Sequence, residues 1–162
     1  MSMFNLVKML AEAKVEFVLV GGLAVALQGY QRVTMDVDVV LAMDADNLNT
    51  FLSVAKIANL HPTMPVNLDA LANAKLMDQW YREKGMLAFS LRSSEAMATV
   101  LDILVRPVVS FADLRHDATM VEVGTINIPV ASIEHLIMMK TGTGRSKDLI
   151  DVEELRKIQA LK

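Results

Sequence analysis

Two aspartates alternate with valines in a β-branched segment of this chain, DVDVVL at residues 36–41. Because successive side chains of a strand point to opposite faces, Asp36 and Asp38 share one face, while Val37 and Val39 share the other. The apolar face needs a core to pack against, and the acidic face needs water, a cation or a hydrogen-bonding partner. The segment therefore predicts a half-buried strand that carries two carboxylates at Cα positions about 6.5 to 7 Å apart.

Helical and strand-like segments alternate along the first part of the chain, and hairpin-like pairs follow. Apolar periodicity and turn residues predict helices over 3–14, 23–29, 46–59, 68–84, 110–118, 132–140 and 146–161, and strands over 15–20, 37–42, 86–91, 99–105, 120–123 and 126–130. The prolines of HPTMP, residues 61–65, predict a loop. This order predicts an α/β (α+β) fold with a small mixed β-sheet flanked by helices, formed by a single domain over residues 1–162.

Composition narrows the class of protein. The chain has 53% hydrophobic and 22% charged residues, which excludes a disordered chain, and it lacks the ~18 uninterrupted apolar residues of a membrane span. With no cysteine and three scattered histidines, any metal would have to be held by oxygen. The net charge of −3 argues against a broad nucleic-acid-binding face. The N-terminus has no secretory signal pattern, so we expect a cytoplasmic protein without a membrane partner.

A third carboxylate, Asp102, lies among apolar residues in the strand-like run TVLDILV. An unpartnered charge buried there would cost several kcal/mol, so Asp102 must reach water, a cation or a hydrogen-bonding partner. If its strand neighbours the Asp36 strand, the three acids form a cup that favours Mg²⁺. Two alternatives remain open: a salt bridge from Asp102 to Arg92 or Arg106, and an edge strand whose solvated face carries the first two acids.

Two further segments are compatible with phosphate. Gly21 and Gly22, between a strand and a helix, allow close approach of the backbone to an anion, although such a pair is usually only a turn. Lys140 lies at the margin of a buried helix face, and TGTGRSKD, residues 141–148, brings further cations to the start of the last helix. Taken alone, the latter segment is better explained by a glycine C-cap, a solvated loop and lysines that extend to solvent.

Taken together and in order, these pieces resemble a known family. GG, then R-x-T-x-D-x-D (Arg32, Thr34, Asp36, Asp38), then VLDILV with Asp102, then a lysine followed by GRSKDLID is similar to the AbiEii/AbiGii-type nucleotidyltransferases. These belong to the DNA polymerase β-like nucleotidyltransferase superfamily. The resemblance spans roughly residues 15–156 and implies two Mg²⁺ ions and transfer of a nucleoside monophosphate from an NTP, such as ATP, to a hydroxyl.

The resemblance also implies roles for individual residues. Asp36, Asp38 and Asp102 would hold the metal ions, and Asp102 would also help to draw the proton from the attacking hydroxyl. The residues that would bind the nucleotide are Gly21, Gly22, Arg32, Thr34, Lys140, Arg145, Lys147 and Asp148. The chain departs from the wider superfamily in having Gly-Gly where Gly-Ser is usual, so one side-chain hydroxyl toward the phosphates is missing.

The acceptor is not specified by these motifs. A tRNA, a protein hydroxyl and a small molecule such as an antibiotic all remain open, and the negative net charge disfavours RNA slightly. Toxins of this branch imply a cognate antitoxin as a partner. The alternative to an active enzyme is a nucleotide-binding or regulatory module of the same fold that has lost turnover.

Overall fold

The computed structural model describes residues 1–162, and its centre is one mixed sheet of seven strands. The strands are β1 (Phe17–Val20), β2 (Asp36–Leu41), β3 (His61–Pro62), β4 (Ala88–Arg92), β5 (Val100–Leu104), β6 (Thr119–Val123) and β7 (Ile126–Val130). They are ordered β3-β4-β5-β2-β1-β7-β6 across the sheet. The β2–β5 and β1–β7 pairs are parallel, and the other pairs are antiparallel. The predicted mixed sheet is confirmed.

Seven α-helices accompany the sheet. They are α1 (Met3–Glu12), α2 (Gly21–Leu27), α3 (Ala45–Ile57), α4 (Ala74–Lys84), α5 (Phe111–His116), α6 (Ile133–Lys140) and α7 (Ser146–Ala160). Most begin at a residue whose side chain caps the first turn. In α3, for example, Oδ1 of Asp44 accepts a hydrogen bond from the backbone amide of Asn47 at 2.9 Å. None of these helices combines the length and the apolar character that crossing a bilayer requires.

The strands at the centre of the sheet supply much of the core. All four residues of β1 are buried, and on β2 the side chains of Val37 and Val39 are fully buried. Leu101 and Ile103 of β5 are fully buried as well, whereas Asp102 between them is not. The alternation predicted for these strands therefore sends their apolar side chains to the core and leaves the acidic side chains on the opposite face.

Three segments differ from the sequence predictions. The helix predicted over 68–84 is divided, because Asn73 has an extended backbone and its side chain caps α4, leaving a 3-10 helix at Leu68–Ala72. The loop predicted at 61–65 contributes the two-residue strand β3 at the sheet edge, where a proline is tolerated. The helix α2 begins at Gly21, earlier than predicted.

Candidate active site

The residues singled out in the sequence come together around one cavity of about 240 Å³. Its lining includes every predicted site residue: Gly21, Gly22, Arg32, Thr34, Asp36, Asp38, Asp102, Lys140, Arg145, Lys147 and Asp148. Three of the lining acids come from β2 and β5, and the fourth, Asp148, comes from α7. The cations come from the segment before β2, the end of α6 and the start of α7. Carboxylates and cations thus line one cavity, which suits an anion that a metal cation bridges to the acids of the strands.

The two strands that carry the acids are neighbours in the sheet. In the parallel β2–β5 ladder Asp38 lies directly opposite Asp102, and Asp36 lies opposite Val100. Because β2 has a paired strand on each side, it is not the edge strand of the alternative interpretation. Asp102 forms no salt bridge: Arg106 contacts Asp78 instead. Both alternative explanations of the acids are therefore wrong.

The proximity of the acids alters their ionisation. Burial, and then the negative charges of Asp102 and Asp36, raise the pKa of Asp38 to about 7, against the weaker opposing effect of Lys140. Burial followed by the charge of Asp102 also raises the pKa of Asp36, and Lys147 opposes that shift. The group is therefore under mutual repulsion, which a bound cation would relieve.

A serine that the sequence analysis did not identify orients Asp102. Ser90 on β4 lies opposite Asp102 in the antiparallel β4–β5 pair, and its hydroxyl donates a hydrogen bond to Oδ1 of Asp102. Ser90 is absent from the cavity lining, so it acts on the site through Asp102. Its alternation with the buried Phe89 and Leu91 in AFSLR was a usable signal, because it places Ser90 on the acidic face once β4 and β5 are paired.

The glycine pair is explained by the side chains that pack against it. Gly21 has φ +70°, which L side chains rarely adopt, and a Cβ there would overlap the carboxylate of Asp38. A Cβ on Gly22 would lie 2.9 Å from Oγ1 of Thr34 and 3.0 Å from Nη1 of Arg32. The missing side chains therefore give room to three residues of the cavity lining, and the hydroxyl of Thr34 occupies space beside Gly22.

The cations on the helix side form a network around two buried acids of α7. Lys140 Nζ lies 2.9 Å from Asp151 and 3.3 Å from Asp148, and Arg32 Nη1 lies 2.6 Å from Asp151. Arg145 Nε donates to Asp148 at 2.6 Å. Lys140 is itself buried, more deeply than the margin of the helix face that the sequence predicted. The three cations are thus placed by carboxylates of the chain itself.

Asp148 stays ionised although it is buried. Burial opposes its charge, but hydrogen bonds from Thr143 and Arg145 and the charge of Lys140 outweigh burial and lower its pKa. With Thr143 Oγ1 at 2.7 Å in addition to the two cations, its oxygens are fully engaged. Lys147, by contrast, is exposed and forms no salt bridge, so its ammonium is free for a ligand.

Asp151 is a second residue near the cavity that sequence analysis missed. Asp148, Asp151, Val152 and Leu155 are the buried residues of α7. Their spacing of three and four marks one face of a helix, so two acids on an otherwise apolar face were the signal that could have found Asp151. A buried carboxylate of this kind requires cationic partners.

No three histidine, cysteine, aspartate or glutamate side chains are gathered closely enough to form a three-ligand metal site. Asp38 and Asp102 face each other in the β2–β5 pair, and the charge of Asp36 adds to the effect of burial on the raised pKa of Asp38. Mg²⁺ takes one or two carboxylates together with waters and substrate phosphates, so a facing pair provides a suitable donor set.

Several solved structures share this fold. A lincosamide antibiotic adenylyltransferase, LnuA, bound to lincomycin has a TM-score of 0.63 and 18% identity, over 96% of this chain and 95% of that one. A putative nucleotidyltransferase from Thermotoga maritima has a TM-score of 0.56 and 17% identity, over 99% of this chain and 91% of that one. ANT(2")-Ia in complex with adenylyl-2"-tobramycin has a TM-score of 0.54 and 10% identity, over 98% of this chain and 93% of that one.

No family model matches the sequence, and no curated protein matches it. The solved structures that share the fold include nucleotidyltransferases, so the chain has the same fold as these enzymes.

Proposed function

We propose that the chain is a nucleotidyltransferase, which transfers a nucleoside monophosphate from an NTP to a hydroxyl acceptor and releases pyrophosphate. One observation carries the proposal: the facing acids Asp38 and Asp102 line a single cavity together with a cluster of cations. An NTP bound with a divalent cation has the complementary charge distribution. The fold that holds this cavity is shared with adenylyltransferases.

The cations would hold the triphosphate. Lys147 is free to bind a phosphate directly, whereas Arg32, Lys140 and Arg145 reach the cavity while tied to buried carboxylates. A guanidinium presents more donors than one carboxylate uses, so Arg32 and Arg145 can bind an anion without leaving their partners.

The glycine pair would let the backbone of Gly21 and Gly22 approach the phosphates closely. The hydroxyl of Thr34, beside Gly22, donates a long hydrogen bond of 3.4 Å to the main-chain oxygen of Asp36, and it would turn from that oxygen to donate to a phosphate in the region where the wider superfamily has a serine. Asp148 would contribute by holding Lys140 and Arg145 in place.

The acids fit Mg²⁺, because the pair repels itself without a cation and a hard cation prefers carboxylate oxygens. We assign Asp36, Asp38 and Asp102 as the residues that would hold the two ions. When bound, the ions would supply charge stabilisation for the attacking and leaving oxygens.

The reaction is a substitution at the α-phosphorus. The acceptor oxygen forms a bond to this phosphorus, and the bond from the phosphorus to the oxygen that bridges to the β-phosphate breaks, which releases pyrophosphate. Asp102 would accept the proton of the attacking hydroxyl, and Ser90 would keep that carboxylate oriented. The remaining task of the chain is to position the reactants.

We place the chain beside the AbiEii/AbiGii-type enzymes on its motifs, with a small-molecule hydroxyl as the first acceptor to test. This acceptor class is supported by likeness, since an antibiotic adenylyltransferase shares the fold over 96% of this chain. The net charge of −3 also disfavours a polyanionic acceptor. A tRNA or protein acceptor, as for a toxin with a cognate antitoxin, is the competing outcome.

A second candidate function is a nucleotide-binding module without turnover. The observation in its favour is that four cations line the cavity while no three-ligand metal site is present. Such a module would bind an NTP tightly and release no pyrophosphate.

Incubation with each α-³²P-labelled NTP, Mg²⁺ and fractions of small molecules, RNA and protein separates these functions. We expect label in one fraction, with pyrophosphate released in equal amount, and loss of both in Asp36→Asn and Asp102→Asn. Asp46→Asn, an exposed acid outside the cavity, is the matched control and should retain activity. Labelling that survives both cavity substitutions contradicts the enzyme, and tight NTP binding with no pyrophosphate favours the binding module.

A further inference from the structure

Asp151 joins three separate segments of the chain. It lies on α7, and its Oδ2 atom forms two salt bridges. One is to Nη1 of Arg32, in the segment before β2, at 2.6 Å, and the other is to Nζ of Lys140, at the end of α6, at 2.9 Å. Its side chain is 2% exposed, and it is not among the residues that line the cavity. Both of its partners do line the cavity, so any effect of Asp151 on a ligand passes through them.

We propose that Asp151 is a positioning residue, which fixes the Arg32 guanidinium and the Lys140 ammonium so that both face the triphosphate site. The inference deepens the proposed nucleotidyl transfer and rests on it.

The surroundings of the two cations explain why they need a fixed partner. Nη1 of Arg32 occupies the space beside Gly22, 3.0 Å from the position that a Cβ would take. Lys140 has a second partner in Asp148, but Arg32 has no salt-bridge partner besides Asp151. Arginine and lysine side chains have many rotamers, and ordering them costs conformational entropy on ligand binding. A carboxylate that orders them beforehand removes that cost from the binding step.

A positioning role and a purely electrostatic role for Asp151 predict opposite changes in NTP affinity. Replacing Asp151 by asparagine keeps the size of the side chain and removes one negative charge behind the site. If Asp151 acted only through its charge, the site would become more positive and would bind an NTP more tightly. If Asp151 positions the two cations, binding weakens despite the added positive charge.

The experiment is calorimetric titration of the full chain with Mg²⁺ and each of the four α,β-methylene nucleoside triphosphates, which cannot react. We expect Asp151→Asn to bind the preferred nucleotide about tenfold to a hundredfold more weakly than wild type, which corresponds to loss of a charge-assisted hydrogen bond. Glu154→Gln removes one negative charge from the same helix at a pair with Lys157 outside the cavity, and it should bind within about twofold of wild type.

Each outcome decides a different question. Unchanged or tighter binding by Asp151→Asn overturns the positioning role and leaves the proposed function intact, whereas a wild-type chain that binds none of the nucleotides overturns both. If Asp151→Asn does not fold, Asp151→Glu tests the same contact, because it keeps the negative charge and displaces the carboxylate that holds both cations. Weaker binding by about fivefold or more then supports the role, and unchanged binding overturns it.

Discussion

Asp38 on β2 and Asp102 on β5 are register partners in adjacent parallel strands, so two carboxylates face each other in the sheet. Burial and the neighbouring acids hold the pKa of Asp38 at about 7, far above its ordinary 3.8. Like charges this close are kept in a folded protein at a cost in stability. The pair therefore links the stability of the fold to pH and to the cation that the site would bind.

The first prediction concerns pH. Because the folded pKa of Asp38 lies above the unfolded value, the folded state binds more protons between about pH 4 and pH 7, and the contribution of Asp38 to stability falls as pH rises through that window. The loss is on the order of 4 kcal/mol for this group. We expect Asp38→Asn to be more stable than wild type at pH 8 and much closer to it at pH 4.

Urea unfolding of the metal-free protein at both pH values measures this difference. Asp46→Asn, at an exposed acid, should show the same pH dependence as wild type. If wild type and Asp38→Asn have parallel stability profiles from pH 4 to pH 8, the acids do not repel each other as described.

The second prediction separates the two lysines of the cavity. Lys140 is buried between Asp148 and Asp151, so Lys140→Met leaves buried carboxylates without a partner and should destabilise the fold by about 3 to 5 kcal/mol. Lys147 is exposed and unpaired, so Lys147→Met should change stability by less than about 0.5 kcal/mol.

The variant at the exposed lysine should instead lose affinity for the nucleotide. Lys147→Met should fold normally and bind Mg·NTP about tenfold more weakly, since one phosphate contact is lost. Thermal unfolding and nucleotide titration of both variants measure the two effects. Equal stability losses would show that the Lys140 ion pairs are not the buried contacts described.

The sequence was sufficient to predict the acidic face, since side-chain alternation in a strand follows from the pleat alone. The convergence of Asp36, Asp38 and Asp102 needed only that β2 and β5 be neighbours, and the resemblance to a known family indicated as much. Ser90 and Asp151 were missed for a physical reason: each works through a register or a helix packing that depends on contacts distant in sequence. The requirement for a glycine at position 21 likewise depends on a contact distant in sequence, because it is the Asp38 carboxylate that leaves no room for a Cβ there.

The third prediction concerns Gly21. It has φ +70°, and an added Cβ would overlap the Asp38 carboxylate, so Gly21→Ala combines backbone strain with a steric clash. Gly85 has φ +63° with nothing within 4 Å of an added Cβ, so Gly85→Ala reports the backbone strain alone, about 1 kcal/mol. We expect Gly21→Ala to be less stable than Gly85→Ala by at least about 1 kcal/mol and to lose nucleotide binding. Urea unfolding of the two variants compares them, and equal losses would contradict the close packing of Gly21 on Asp38.

The last prediction concerns Ser90, whose hydroxyl donates to Asp102 from the neighbouring strand. Ser90→Ala removes a hydrogen bond to a charged group, worth about 1.5 to 3 kcal/mol, and leaves the Asp102 carboxylate free to rotate. Because Asp102 is the proposed proton acceptor, we expect kcat to fall about tenfold or more while KM for the NTP changes little. Ser53→Ala, which removes an exposed hydroxyl that donates to the main chain of Asn49, should leave both constants unchanged. Steady-state kinetics of pyrophosphate release measures both variants, and a Ser90→Ala enzyme with wild-type kcat would show that the orientation of Asp102 does not depend on this contact.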